Sequence, residues 1–400
     1  MPPIRKRLIG SSASLPKNSA LKMAALIGRN LWSLIQGIEK VQKKGRGSEM
    51  YKERVELYKQ LEENLDTKIL TYVTSDRQGY ETQIAQDVID IFIGQLDKIG
   101  VVPKISLYLY TRGGDTAAAW NIVNLLRIYC DELQVIIPHK AHSAGTLISL
   151  GANSIIMTKQ ATLGPIDPSI NTSLNPQIPG APPQKTFPVS VEAVKGYFDF
   201  AKEELAIKDD VALANIMIKL SEMVHPLVLG QVYRSRAQIK MLAEKLLANQ
   251  VTDTGKVKQI ISFLCSDSGS HDYTINRREA KSNLGLNIIN PNDELYKIIK
   301  AIYDDISKEL GLGLPLDLRG MANTNGGAYS IRRGLIESVD GGNDYYLTQG
   351  KVTQVNLPNG QRGINDERIF EGWKRDELRT DDIGSQPTLE NGSDLEQFKV

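Results

Sequence analysis

Three short motifs contain residue types that could carry out acyl transfer. A Gly113-Gly114-Asp115 turn between a strand pattern and a helix pattern would expose backbone N–H groups that can stabilise an oxyanion. Ser143, within Ala-His-Ser-Ala-Gly, begins a small apolar helix from which its hydroxyl could reach a cleft. Asp167, in a loop fixed by a glycine and two prolines, could orient a base. Taken singly, each motif also fits a structural role, namely a tight turn, a helix N-cap or a turn cap.

The elements that must position these motifs alternate along the chain. Apolar runs typical of strands alternate with helical periodicity between residues 68 and 158, which predicts βαβ units and a largely parallel sheet. The predicted strands are 68–74, 105–111, 133–138 and 154–158, and the predicted helices are 82–98, 116–129 and 143–151. Each of the three motifs therefore follows a predicted strand.

Four segments are predicted from changes of pattern along the chain. Residues 1–66 form a tail and a helical arm, 67–310 the main α/β domain, 311–375 a β-meander, and 376–400 an acidic flexible tail. Within the main domain, residues 169–188 are rich in Pro, Asn and Ser and are predicted to form a long loop or a lid. Helical patterns follow this loop at 190–249 and 293–310.

Composition argues against several classes of protein. The 400 residues carry a formal net charge of +1, which does not favour nucleic-acid binding. Cys130 and Cys265 stand in apolar runs and indicate neither a disulfide framework nor a metal site. No apolar stretch reaches the roughly 18 residues that a membrane span requires. We therefore expect a cytoplasmic protein without cofactor or metal. Its basic, acid-free segment 22–36 is expected to pack on the domain or on a partner subunit, and the alternatives are a membrane-surface helix and a transit peptide.

Together the motifs resemble the Clp-protease/crotonase superfamily, in particular ClpP and the signal-peptide peptidase SppA. In those families a Gly-Gly strand end supplies the oxyanion hole, and a Ser-Ala-Gly or Ser-Met-Gly helix start supplies the nucleophile. Residues 68–290 resemble more closely the serine dehydrogenase proteinase family. The matching segments are Ser-Ala-Gly-Thr-Leu-Ile at 143–148, Gly-Pro-Ile-Asp-Pro at 164–168, Val-Lys at 194–195 and Ser-His-Asp-Tyr-Thr-Ile at 270–275.

This resemblance implies an α/β, Clp-protease/crotonase-like fold of ββα units with an N-terminal helical arm and a C-terminal β-rich extension. It implies a serine endopeptidase that works through an acyl-enzyme on Ser143, with an oxyanion hole from Gly113, Gly114, Asp115 and Ala144. The implied partners are a peptide or protein substrate and further copies of this chain. Any ATP-driven unfoldase would be a separate partner, because no Gly-x-x-x-x-Gly-Lys-Ser/Thr motif is present in this sequence, and a membrane-associated partner is the other candidate.

The base that activates Ser143 is left open between two candidates. In ClpP the histidine follows the strand after the nucleophile helix, whereas that region here holds Gly-Pro-Ile-Asp and no histidine. His271, in a segment that resembles the serine dehydrogenase proteinases, gives a Ser143–His271–Asp167 triad. Lys195, on a predicted helix, gives a Ser-Lys dyad similar to that of SppA, in which a buried lysine acts as general base. The weaker candidates are His142, His225, Lys159 and Lys185.

Two other functions fit the same fold. A crotonase-like acyl-CoA enzyme would need no serine nucleophile, and the Ser-Ala-Gly sequence at the second turn argues against it. A catalytically inactive oligomeric scaffold would use the helical arm at 22–66 for assembly. Labelling of Ser143 by a fluorophosphonate distinguishes a peptidase from both.

Overall fold

The computed structural model describes residues 47–166, 169–179, 185–267, 272–356 and 362–376. Its α-helices are α1 (Gly47–Leu65), α2 (Ile89–Ile99), α3 (Thr116–Tyr129), α4 (Ala144–Leu150), α5 (Val191–Asp199), α6 (Asp210–Met223), α7 (Pro226–Leu247), α8 (Thr254–Ser262), α9 (Arg277–Ser282), α10 (Asp293–Leu310) and α11 (Leu318–Ala322). Its strands are β1 (Lys68–Thr74), β2 (Val102–Tyr110), β3 (Cys130–Ile137), β4 (Lys140–Ala141), β5 (Ser154–Met157), β6 (Thr162–Leu163), β7 (Ser169–Ile170), β8 (Val189–Ser190), β9 (Ile275–Asn276), β10 (Ile288–Ile289), β11 (Ala328–Ser338), β12 (Gly342–Asn356) and β13 (Arg362–Arg375).

The main sheet of the described residues has eight strands in the order β10-β5-β3-β2-β1-β11-β12-β13. The strands from β10 to β1 are parallel, and the three that follow β1 form an antiparallel meander. Two small sheets accompany it, β4-β6-β9 and β7-β8. The predicted meander at 311–375 thus continues the main sheet through pairing of β11 with β1.

Several predicted elements are found where the sequence pattern put them, and one differs near the first motif. Helix α3 and strand β1 have the predicted bounds. Helix α2 begins at Ile89 instead of residue 82, because Ile84 forms a parallel bridge with Gly114 and residues 86–88 make a 3-10 turn. The stretch before α2 is therefore paired with the Gly-Gly turn.

The central strands are buried on both faces, as expected for parallel strands covered by helices. Leu107 and Leu109 of β2 belong to a core shared with residues of α2, α3 and α4. Tyr108 and Tyr110, which alternate with them, belong to a second core with residues of α1 and α10. This two-sided burial fixes the register of β2 and hence the position of the turn at its end.

The arm helix and the meander are joined by a buried ion pair. Arg54 on α1 donates to both carboxylate oxygens of Glu337 on β11 at 3.1 and 2.6 Å, and both residues are fully buried. Tyr58 donates to the same carboxylate at 2.8 Å, and Asp305 and Glu309 of α10 also pair with Arg54. These contacts hold helix α1, helix α10 and the meander together. The boundaries of the four segments predicted from the sequence stay a prediction.

A smaller lobe follows the third motif. Ile170, Val189, Val191, Val228 and Val232 form a separate apolar cluster that joins β7, β8, α5 and α7. Helix α6, in the same part of the chain, has no buried residue. Within the described chain no single helix could cross a membrane by length and composition, although α6 and α7, bent by 107°, would pass that test as a pair. In the same residues, no His, Cys, Asp or Glu cluster could hold a metal ion.

Candidate active site

Ser143 stands in the strand-to-helix turn between β4 and α4. Its φ of 51° and ψ of −114° are strained for a residue with a side chain, at a cost of about 1–3 kcal/mol. It occupies the N-cap position, yet its side chain accepts no hydrogen bond from α4, whereas the Asp115 carboxylate does cap α3. The hydroxyl of the half-buried Ser143 is therefore not used as a cap. A strained turn of this kind is typical of a nucleophile elbow.

The Gly113–Gly114 turn lies directly against Ser143. A Cβ atom on Gly113 would stand 2.7 Å from the Cβ of Ser143 and 3.2 Å from its Oγ. A Cβ atom on Gly114 would stand 2.2 Å from the carbonyl oxygen of Ile84. Both glycines also have positive φ angles, 116° and 150°. Glycine is thus required at the first position by the serine and at the second by a neighbouring backbone.

The backbone N–H groups around this turn differ in whether they already have an acceptor. Gly113 donates to the hydroxyl of Thr111 at 3.0 Å, and Asp115 donates to the carbonyl of residue 84 at 2.8 Å. Among the described residues, no acceptor is found for the N–H of Gly114 or of Ala144. These two groups can still donate to a bound oxygen atom.

A three-stranded sheet places side by side the strands that flank the predicted triad residues. Strand β4 ends two residues before Ser143, β6 ends four residues before Asp167, and β9 begins four residues after His271. Strand β6 pairs with both β4 and β9. Ile166 also donates its N–H to the carbonyl of Leu264 at 2.9 Å. Asp167 and His271 themselves lie outside the described residues.

Thr146 fastens the loop of the third motif to the nucleophile helix. Its hydroxyl is 2.9 Å from the carbonyl oxygen of Ala141 and 2.8 Å from that of Gly164, and it accepts the N–H of Gly164 at 3.1 Å. A Cβ atom on Gly164 would stand 3.2 Å from the ring of His142. The glycine therefore lets the loop lie close to the segment that carries Ser143.

Lys195 lies on α5 and forms an ion pair with Asp199 one turn further along the same helix. Its side chain is 39% exposed. No hydrogen bond joins Lys195 to Ser143 in the part of the chain that the structure describes. Lys195 is therefore held in a solvent-facing pair, which is not the buried, unpaired setting that a lysine base needs.

The weaker candidates for the base contact other groups or solvent. The Nε2 atom of His142 is 2.9 Å from a threonine hydroxyl of β6. His225 caps α7, where its Nδ1 accepts a backbone N–H at 3.2 Å. The Nζ atom of Lys159 lies 4.3 Å from the centre of the Tyr296 ring, and Lys185 is exposed. None of these contacts is with Ser143.

A charged pair near the nucleophile was missed by sequence reasoning. Lys140 of β4 donates to Asp76 at 2.8 Å, and the Tyr110 hydroxyl donates to the same oxygen atom at 2.8 Å. Burial raises the pKa of Asp76, but the hydrogen bonds from Lys140 and Tyr110 outweigh it and hold that pKa below its usual value. The two charges are 64 positions apart in sequence, so no local pattern could have indicated the pair.

The described site thus combines a sheet with a parallel centre, a serine in a strained turn and a Gly-Gly strand end beside it. Residues 96–187 match the family model described as ClpP-like SDH-type serine proteinase. The match confirms the family resemblance predicted from the sequence and the predicted α/β, ClpP-like fold class. It also supports a peptidase function.

Two curated proteins of Methanocaldococcus jannaschii are similar to this chain. The uncharacterized protein MJ0137 is 31% identical over 209 residues, which are 51% of this chain and 62% of that protein. The uncharacterized protein MJ1495 is 29% identical over 200 residues, which are 49% of this chain and 56% of that protein. The chain spans less than two thirds of the length of either relative.

Solved structures of two proteases are also similar. A lysine-to-alanine mutant of the 1510-N membrane-bound stomatin-specific protease, in complex with a substrate peptide, is 17% identical and has a TM-score of 0.32. That similarity covers 57% of this chain and 77% of the other. ClpP1 from Listeria monocytogenes is 15% identical with a TM-score of 0.31, over 58% of this chain and 98% of the other.

Proposed function

We propose that the chain is a serine peptidase that forms an acyl-enzyme on Ser143. The support comes from the strained, uncapped position of Ser143 against the Gly113–Gly114 turn. The Oγ atom of Ser143 attacks a peptide carbonyl and passes its proton to a base, which protonates the leaving amine. A water molecule then attacks the ester, giving the carboxylic acid and restoring the serine hydroxyl.

Gly114 and Ala144 are the oxyanion donors in this proposal. Their N–H groups lack acceptors among the described residues, whereas those of Gly113 and Asp115 are already donated. A donor that must first break another hydrogen bond gives up the benefit of preorganisation. Gly113 therefore provides clearance for Ser143, and Asp115 caps α3 with its carboxylate.

For the base we propose His271, oriented by Asp167, with Lys195 as the alternative. The pairing of β4, β6 and β9 supports the triad, because it groups the strands flanking all three residues. The ion pair of Lys195 with Asp199 argues against the dyad. A peptide or protein substrate, a separate ATPase or membrane-associated partner, and cytoplasmic location stay predictions. Segment 22–36 lies outside the described residues.

A fluorophosphonate probe tests the proposal on the full chain. We expect one adduct, mapped by mass spectrometry to the peptide that contains Ser143, and none in Ser143→Ala. His271→Ala and Asp167→Asn should be labelled far more slowly, while Lys195→Met, which keeps the length of the side chain, should react like wild type. The reverse ranking of His271→Ala and Lys195→Met would replace the triad by the dyad.

The same experiment separates the two alternative functions. A folded protein that gains no adduct but turns over an acyl-CoA would be a crotonase-like enzyme. A folded oligomer that gains no adduct and turns over neither a peptide nor an acyl-CoA would be an inactive scaffold. The strained backbone conformation of Ser143 favours the peptidase, because neither alternative function needs a strained serine.

We also propose that copies of this chain associate through α6. The exposed fractions of Val211, Ile218 and Met223 are 68%, 55% and 75%, and no charge interrupts residues 211–218. In an antiparallel pair of α6 helices, related by a two-fold axis perpendicular to them, Asp210 of one copy would lie near Lys219 of the other copy, which also pairs with Glu222 of its own helix. Such a pair would bury the apolar face and join opposite charges.

A further inference from the structure

Thr111 connects the two sides of the candidate active site. Its hydroxyl accepts the N–H of Gly113 at 3.0 Å and the hydroxyl of Thr74 at 2.8 Å. Its own N–H donates to the carbonyl of Lys140 at 3.1 Å, and its carbonyl accepts the N–H of His142 at 3.1 Å. The residue is therefore bonded both to the Gly-Gly turn and to the strand that leads to the nucleophile.

The methyl group of Thr111 also fixes the start of α4. A Cβ atom on Gly145 would stand only 2.4 Å from the Cγ2 atom of Thr111, so the methyl group fills the space beside that glycine. Thr111 is fully buried. Loss of the Thr111 hydroxyl would therefore affect the Gly113–Gly114 turn, and loss of its methyl group would affect the start of α4.

We infer that Thr111 is a positioning residue for the acyl transfer proposed above, on which this inference rests. Its hydroxyl oxygen uses its acceptor capacity for Thr74 and Gly113, and this fixes the direction of the Gly113 N–H. The next N–H, that of Gly114, is then left to donate to the oxyanion. Without the hydroxyl, the Gly113 N–H is buried without an acceptor. The Arg112–Gly113 peptide that carries this N–H can then rotate through the flexible dihedrals of Gly113, which moves the adjoining Gly114 N–H.

Thr111→Val is the variant that isolates the hydroxyl, because valine keeps the branched shape and the contact with Gly145. We expect its kcat and its rate of fluorophosphonate labelling to fall about 10- to 100-fold, with KM changed little. The reason is that one of the two proposed oxyanion donors, the Gly114 N–H, is displaced, and this donor acts on the transition state. Thr111→Ser restores the hydroxyl and should recover most of that loss. The matched control is Thr158→Val, which removes the bond of a buried threonine hydroxyl to the Pro138 carbonyl, 2.7 Å away, and should keep the wild-type kcat.

Amide hydrogen exchange at Gly113 tests the same inference without a measurement of enzymatic activity. We expect slow exchange in wild type and in Thr111→Ser, and faster exchange in Thr111→Val. Wild-type labelling rates in a folded Thr111→Val protein, or an equal loss in Thr158→Val, would overturn the positioning role. If wild type itself is not labelled at Ser143, the proposed function fails, and rapid exchange at Gly113 in wild type would refute the role of Thr111 independently.

Discussion

Ser143 adopts a backbone conformation that residues with a Cβ atom avoid, so the surrounding structure must supply the free energy that holds it there. The contacts of β4, the Gly113 turn and the N–H of Gly145 to the carbonyl of His142 at 2.8 Å provide this constraint. Backbone strain at a reactive residue lowers the folding stability of the protein but places the reactive group in the geometry that the reaction needs. It leads to a prediction about stability that does not depend on activity.

Replacing Ser143 with glycine should relieve the strain that alanine retains. Glycine costs about 0.5–1 kcal/mol more than alanine in conformational entropy, but the strain is about 1–3 kcal/mol. We therefore expect Ser143→Gly to be at least as stable as Ser143→Ala in urea denaturation, with both unreactive to a fluorophosphonate. A Ser143→Ala protein that is more stable by over about 1 kcal/mol would show that the turn is not strained.

Gly113→Ala should disable the site by collision with the nucleophile. The new Cβ would lie 2.7 Å from the Cβ of Ser143, which forces either the turn or the serine to move. We expect the labelling rate to fall at least about 100-fold, as for loss of an oxyanion donor. Gly94→Ala is the control, since a Cβ there meets nothing within 4 Å and lies on helix α2, where alanine is favoured. Equal rates for the two variants would contradict the close packing of Gly113 against Ser143.

At the scale of elements, the pair of Asp76 and Lys140 holds β4 against the loop after β1. The pKa of Asp76 is lower in the folded chain than its ordinary value, so the unfolded chain takes up the proton first as pH falls. The pair thus contributes stability above about pH 4, and this is lost as pH falls through the lowered pKa.

Asp76→Asn should therefore be less stable at neutral pH by about 1–3 kcal/mol and should lose less further stability between pH 5 and pH 2 than wild type. Urea unfolding over that pH range measures both quantities. The Asp76 contribution would be refuted if the two proteins lost stability in parallel on acidification.

Ile218→Glu on α6 should separate an assembly formed through that helix. A buried unpaired carboxylate at an apolar interface disfavours association strongly, whereas the same charge on a free surface has little effect. Val101→Glu is the control, because Val101 is 79% exposed and lies in the turn between α2 and β2. Light scattering after size exclusion should show smaller particles only for Ile218→Glu. If the particle mass of Ile218→Glu is the same as that of wild type, α6 does not form the interface.

Local patterns were sufficient for the elements with strong periodicity and insufficient for pairings between distant segments. Helix α3 has the predicted bounds because its apolar spacing is local, and the structure adds the Asp115 cap next to its first residue. The bridge of Ile84 to Gly114, which shortens α2, and the two-residue strands of the β4-β6-β9 sheet depend on long-range contacts. The sequence motif around Ser143 could be recognised from the sequence alone. The backbone strain of Ser143 and the missing side-chain cap bond depend on the folded structure and could not.

At the scale of the whole molecule, the sheet joins segments that looked separate in sequence. The buried Arg54–Glu337 pair connects α1 to β11, and β11 pairs with β1 next to the strand that ends in the Gly-Gly turn. A buried pair of this kind is costly to break and fixes one arrangement of the segments. The arm and the meander therefore support the strands that position the site.

The acyl-enzyme itself is the most direct test of the account. Full-length protein is mixed with a p-nitrophenyl ester, quenched in acid during turnover, and analysed by intact mass and peptide mapping. We predict an acyl group on the peptide containing Ser143 that hydroxylamine removes, and none on Ser143→Ala. Turnover that continues in Ser143→Ala, or an acyl group located on another residue, would contradict the assignment of Ser143 as the nucleophile.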